Sequence, residues 1–198
     1  MKSCGENMNL LEWLKKRKDN NQTSQQIVTD SGQTPKQVTI DLLKPIVSVE
    51  IKAHPLFEFT GLAIKFATRE IIGIGVGTYD SENKKVKIMN IYTALDAPSG
   101  RAYVNLSTTT HQKLDDALRH WNWNDGEKLA VFHSHPGFGC EKSSIDDEHG
   151  SRMAALLFGG KAVMVIVDPF HEEGIKIAAY AIDPHTKLTK KIPFRVVP

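Results

Sequence analysis

Cysteine is nearly missing from this chain. Cys4 and Cys140 stand in unlike surroundings, so no disulfide framework can carry the fold, and a reducing compartment is expected. Long apolar runs are missing too. No stretch approaches the roughly twenty residues of a membrane span, and the basic residues near the N-terminus have no apolar segment before them of the kind a secretory signal needs. The default expectation is therefore a cytoplasmic protein with no membrane partner. Nor is there an excess of one charge: 25 Lys and Arg face 23 Asp and Glu, a net charge of +2. The basic run Lys15-Lys16-Arg17-Lys18 reads as a solvated helix end, so no nucleic-acid partner is expected. Internal repeats are absent. What remains, 198 residues with 40% hydrophobic and 24% charged, describes one globular domain with some chain left over.

The leftover chain is at the front. Leu10, Leu11 and Leu14 recur at helical spacing with Trp13 beside them, and "DNNQTSQQIVTDSGQTP" follows as a polar linker. Residues 1–45 are thus expected to be an arm, and 46–198 the functional domain. There "VSVEI" alternates as a strand, and "PLFEFTGLAIKFATRE" has a broad apolar helical face opened by Pro55. "EIIGIGVGTYD" is a β-branched strand interrupted by Gly73, Gly75 and Gly77, and "KKVKIMNIYTA" is the next strand. After the loop "LDAPSGRAYVN" comes a helix, "STTTHQKLDDALRHW", capped at or near Ser107. "KLAVFHSH" is a buried strand stopped by Pro136, and "SSIDDEHGSRMAALLF" is a helix capped by Ser143 or Ser144. "KAVMVIVDP" and "GIKIAAYAID" complete the strands. Strands alternating with helices predict an α/β domain, a mixed sheet covered on both faces.

The chemistry concentrates in "AVFHSHPGFGCEKSSIDDEHG". Side chains i and i+2 of a strand share a face, so His133 and His135 project together. The chain turns through "PGFG" into a helix carrying Asp146, which can return a carboxylate as a third ligand. Two His and one Asp leave a tetrahedral zinc with one open position, as catalytic rather than structural sites do. A His-x-His pair alone serves structural and surface roles as readily as metal binding, and the added carboxylate does not by itself decide between them.

The wider pattern does. "HSHPGFGC" followed by Ser143 and Asp146 resembles the JAMM (MPN+) metalloprotease signature His-x-His-Pro-x6-Ser-x2-Asp. The likeness is especially close to the deubiquitinating subunits of the proteasome lid and the signalosome. The family's upstream glutamate, in a Glu-x2-Gly-x3-Gly setting at a helix end, is matched by Glu70 with Gly73 and Gly77, and "VIVDP" at Asp168-Pro169 is a further family-like feature. The resemblance spans roughly Val47 to Asp183. It implies a three-layer fold like that of cytidine deaminases and one zinc per chain, held by His133, His135 and Asp146, which lowers the pKa of a bound water to about 7. It implies that Glu70 is the general base and then acid. Ser143 is the implied oxyanion donor, a contact whose loss typically costs about 3 kcal/mol.

The neighbours have plainer readings. Ser144 is expected to cap the helix, Asp147 and Glu148 to offset the helix dipole, and His149 to stand by. His111, His120, His171 and His185 read as surface residues, and Cys140 as a small apolar group. Where eukaryotic members carry Trp-Leu after the cysteine, this chain has Glu141 and Lys142, which bears on the substrate surface and not on the metal. "YTALDAPSGRAYVN" matches the family's first insertion, which often pairs with the C-terminal tail of ubiquitin, and no long second insertion follows Asp168. The implied activity is isopeptidase cleavage of ubiquitin or a ubiquitin-like modifier from its target, with conjugation-pathway or MPN-type proteins as further partners. Two alternatives are a peptidase that trims a ubiquitin-fold precursor or sulfur carrier, and a non-catalytic MPN scaffold. The complete set of site residues argues against the scaffold, and the compact chain points to a bacterial or archaeal modifier system.

Overall fold

Near-continuous β-branched and apolar runs form strands buried on both faces, and they build the centre of one sheet. The computed structural model describes residues 46–104, 108–120, 127–148, 150, 162–183 and 189–198. The arm helix, the linker, Ser107, His149, His185 and the second half of the "SSIDDEHGSRMAALLF" helix lie outside the described residues. β1 (Ser48–Lys52), β2 (Ile72–Asp80), β3 (Lys85–Thr93), β6 (Glu127–Ser134), β7 (Ala162–Asp168), β8 (Lys176–Ile182), β9 (Thr189–Ile192) and β10 (Phe194–Val197) form an eight-stranded sheet in the order β10-β1-β3-β2-β6-β7-β8-β9. A separate two-stranded ribbon joins β4 (Ser99–Gly100) to β5 (Tyr103–Val104). β1 runs parallel to β10 and β3, and β6 parallel to β7, while the other pairs are antiparallel. The expected mixed α/β sheet is therefore what the chain forms.

Each face of the sheet carries its own core. On one, α1 (Ala53–Lys65) buries Leu56, Phe59 and Ala63, the i, i+3 and i+7 positions that make one stripe. Phe59 meets Phe132 of β6 edge to face, with ring centroids 5.6 Å apart. On the other face Ile72, Ile74, Val131, Met164, Ile166 and Tyr180 form a second cluster with Ala94, Ala97 and Val104. Gly150 reaches it too, since a Cβ there would stand 2.9 Å from Cδ1 of Ile182. A second helix, α2 (Thr108–His120), follows the ribbon.

β2 and β3 slip by one residue between Val76 and Gly77, and there the strands approach so closely that a Cβ on Gly77 would lie 1.7 Å from the Lys87 carbonyl oxygen. Only glycine fits. Gly77→Ala is expected to lower unfolding stability by about 2–3 kcal/mol, read as a shifted urea midpoint at unchanged slope. A midpoint that stays put would contradict the close approach.

Four features depart from the sequence reading. α1 ends at Lys65, where the Phe66 N–H closes on the Leu62 carbonyl, so Glu70 stands after a turn through Phe66–Arg69 and not at the helix end. The loop 94–104 contains the β4–β5 ribbon. Two further strands, β9 and β10, occupy the outer edges of the sheet. Edge strands tolerate Lys190, Lys191, Arg195 and the intervening Pro193, and those residues hid the alternation. Ser143, rather than Ser144, caps the third helix.

Candidate metal centre

The parallel pair β6–β7 sets the location. Both strands end together, Ser134 opposite Val167, and the crossover that must join parallel strands leaves from the C-terminal end of β6. His133 lies at that end and His135 just beyond it, 4% and 7% exposed. Ser134 between them points the other way. Its Oγ accepts the Ile71 N–H (3.0 Å), and its own N–H donates to the Ile71 carbonyl (3.0 Å). These paired bonds fix the chain next to Glu70 to the chain between the two histidines.

The ring nitrogens face each other, with His133 Nε2 to His135 Nε2 at 2.9 Å. Asp146 closes the group, its Oδ1 3.3 Å from His133 Nε2 and its Oδ2 3.7 Å from His135 Nε2. All three ligand atoms lie within 4.8 Å of one another. The two imidazole nitrogens and the nearer carboxylate oxygen are thus close enough to meet one ion with bonds of about 2.0–2.1 Å. Two imidazoles and a carboxylate of that spacing fit zinc.

Asp146 is delivered by a helix cap. Residues 144–148 are helical. Ser143 Oγ accepts the Asp146 N–H (3.2 Å), and Asp146 Oδ2 accepts the Ser143 N–H (2.6 Å). This reciprocal box has aspartate in the place usually taken by Glu or Gln. The Ser143 hydroxyl also acts on the Asp146 carboxylate, which the backbone and side-chain hydrogen bonds of Ser143 both hold in the charged form. Asp147 does more than offset the dipole: it pairs with Lys142 and accepts the Thr189 hydroxyl of β9 (2.7 Å).

Electrostatics divide the carboxyls. Burial, then the nearby Asp146 charge, push Glu70 up to about 8, so in the metal-free protein it holds a proton through neutral pH. Burial would raise Asp146 too. There the hydrogen bond and charge of His133, with the Ser143 N–H, prevail and hold it well below the usual carboxylate range. Burial and the neighbouring His133 lower His135. A cation among the three ligands would oppose both causes acting on Glu70.

The surrounding residues brace this set. The Glu70 N–H donates to the Gly100 carbonyl of the ribbon (2.8 Å). Arg69 reaches the same segment through Ser99 Oγ (3.0 Å) and the Leu95 carbonyl (3.1 Å), and its guanidinium sits 4.7 Å over the Phe66 ring. Burial raises the Cys140 thiol, which stays protonated and donates to the Ile166 carbonyl (3.5 Å), as befits a small half-buried group. The Tyr180 hydroxyl, pushed by burial to about 12, donates to the Cys140 carbonyl (2.7 Å). Sequence reasoning did not find the parts played by Ser134 and Arg69, because their partners at Ile71, Leu95 and Ser99 lie far along the chain and leave no spacing signature.

No family model matches the chain. Among curated proteins it is similar to the 26S proteasome regulatory subunit RPN11 of Eremothecium gossypii, 27% identical over 127 residues, which cover 63% of this chain and 40% of that one. It is equally similar to the ubiquitin carboxyl-terminal hydrolase RPN11 of Saccharomyces cerevisiae, 27% identical over 100 residues, covering 50% of this chain and 31% of that one. The chain thus spans well under half the length of these relatives. In fold it is similar to the solution structure of protein DSY2949 from Desulfitobacterium hafniense, with a TM-score of 0.54 and 15% identity, covering 75% of this chain and 92% of that one. Among the described residues, no helix is long and apolar enough to cross a membrane.

Proposed function

We infer, from the resemblance of this chain to the JAMM/MPN metalloprotease family, that it is a zinc isopeptidase acting on ubiquitin or a ubiquitin-like modifier joined through its C-terminal glycine to a target amine. The observation that carries this reading is the convergence of His133, His135 and Asp146 beside the buried carboxyl of Glu70. Similarity to RPN11 proteins, one of them described as a ubiquitin carboxyl-terminal hydrolase, supports the substrate class.

His133, His135 and Asp146 would hold one zinc. When bound, zinc supplies Lewis acidity to a scissile carbonyl and to a water nucleophile. Glu70 would take a proton from the attacking water and return it to the departing amine. Its buried place suits both duties, because a carboxyl raised toward neutral pH gives up and accepts protons there with little bias. Ser143 would turn its hydroxyl proton from the Asp146 carboxylate to the oxyanion that develops on the attacked carbonyl. The β4–β5 ribbon, hydrogen-bonded to the Glu70 backbone, offers an edge along which an extended modifier tail can lie.

The purified protein is expected to contain about one zinc per chain by elemental analysis. Cleavage of a modifier–lysine isopeptide should stop on treatment with a strong chelator and return on adding zinc. Comparing that substrate with a linear precursor fusion identifies the natural bond. Zinc-free protein with full activity, or cleavage indifferent to chelation, refutes the reading.

A further inference from the structure

Asp168, the last residue of β7, is fully buried, and both of its carboxylate oxygens are engaged. Oδ1 accepts the Gly137 N–H (2.9 Å) and the Phe170 N–H (2.9 Å), and Oδ2 accepts the Gly139 N–H (2.7 Å). Gly137 and Gly139 have φ of +79° and +77°, the left-handed region that lets the chain after His135 curl so that their N–H groups converge on one anion. The curl has a product. The Gly139 carbonyl comes to 3.1 Å from His135 Nδ1. A carbonyl only accepts, so Nδ1 must carry the proton and the lone pair of neutral His135 sits on Nε2, the atom facing His133 and Asp146.

A loop that merely had to turn would not need an anion, since burying a carboxylate is costly unless every oxygen is satisfied. We propose that Asp168 is the positioning residue for His135: it pins the Gly137–Gly139 turn whose carbonyl fixes the tautomer and tilt of the ring that would ligate the metal. This rests on the metal reading above but can be tested without metal.

The experiment uses the full chain, first stripped with chelator and then titrated with zinc against a competing chelator. In the metal-free wild type, the ¹⁵N spectrum should show His135 protonated at Nδ1 when neutral. In Asp168→Asn, the amide replaces one acceptor oxygen with an NH2 that faces an N–H, and the turn loses an anchor. The expected results are loss of the single-tautomer signature and a roughly 10–100-fold weaker zinc affinity, the usual size of such indirect effects on a metal ligand. If Asp168→Asn does not fold, Gly139→Ala supplies the test. A Cβ there has no atom within 4 Å, so only the backbone angle objects, and the carbonyl shifts while Asp168 stays. Gly139→Ala should move the tautomer and the affinity in the same direction. A folded variant with unchanged His135 signals and wild-type zinc affinity overturns the proposal. A wild type showing the Nδ1–H signature but no zinc affinity would sink the metal reading instead, leaving the positioning of His135 standing.

Discussion

Glu70→Gln is expected to keep its zinc and lose turnover by about 10²–10⁴-fold, the range contributed by a positioned proton-transfer group. Glutamine has nearly the same shape as a protonated glutamate, and Glu70 sits in a pocket where it is only 7% exposed, so packing is preserved while the capacity to accept a proton is removed. His133→Ala should behave differently. It deletes one of three ligand atoms and should lose the metal itself, with activity falling to background. Paired zinc analysis and steady-state kinetics on a modifier–lysine substrate separate the two roles. Glu70→Gln retaining near-wild-type turnover would remove Glu70 from the chemistry, and zinc lost from Glu70→Gln would make it a ligand.

The same substitution should stabilise the metal-free protein as pH rises. Glu70 is raised to about 8 in the fold from an ordinary value of 4.5, by burial first and by Asp146 second. A carboxyl raised in the folded state contributes stability that is intact below about pH 4.5. That contribution drains away as pH climbs and is gone above about 8, because the unfolded chain ionises freely while the folded one resists. The glutamine side chain of the variant does not titrate. Urea unfolding in chelator should therefore show Glu70→Gln gaining on the wild type between about pH 5 and 8.5, by about 3–4 kcal/mol once partial solvation is allowed for. Contributions from groups other than Glu70 are common to both proteins and largely cancel in the difference. With zinc present the gap should shrink, since a cation lets Glu70 ionise without penalty. Parallel pH profiles for the two proteins would mean that Glu70 is solvated and its carboxyl is not raised.

How far the sequence disclosed this site depended on the distance over which each residue acts. The two histidines are two positions apart on a strand, and their common face follows from strand geometry alone. Asp146 follows from a helix start whose cap the reading left between Ser143 and Ser144; the Ser143–Asp146 box shows that cap and ligand carboxylate are one device. Glu70 was reached through the family pattern only. Its partners lie across the sheet, Ile71 and Ser134 being 63 positions apart, and no local periodicity reports such a pairing. The central strands were legible because burial on both faces leaves a continuous apolar run. β9 and β10 were not, since an edge needs only part of a buried face and carries Lys190, Lys191 and Arg195. The hydrogen bonds of Asp168 go to backbone N–H groups, which sequence cannot single out, and Arg69 reaches a side chain and a carbonyl about thirty positions away, beyond any local pattern.

The paired hydrogen bonds between Ser134 and Ile71 have a consequence for how the protein fails. Most enzymes assemble their chemistry on loops that fluctuate open at little free energy, well before the scaffold melts. Here the segment bearing Glu70 and the strand bearing the histidines are laced together at the middle of an eight-stranded sheet, with Ile72 paired to His133 in the next rung. Parting base from ligands means unzipping β2 from β6, the deepest seam in the domain. The amides of Ile71 and Ser134 therefore belong with the slowest to exchange with solvent, and separation of Glu70 from His133 coincides with loss of the fold.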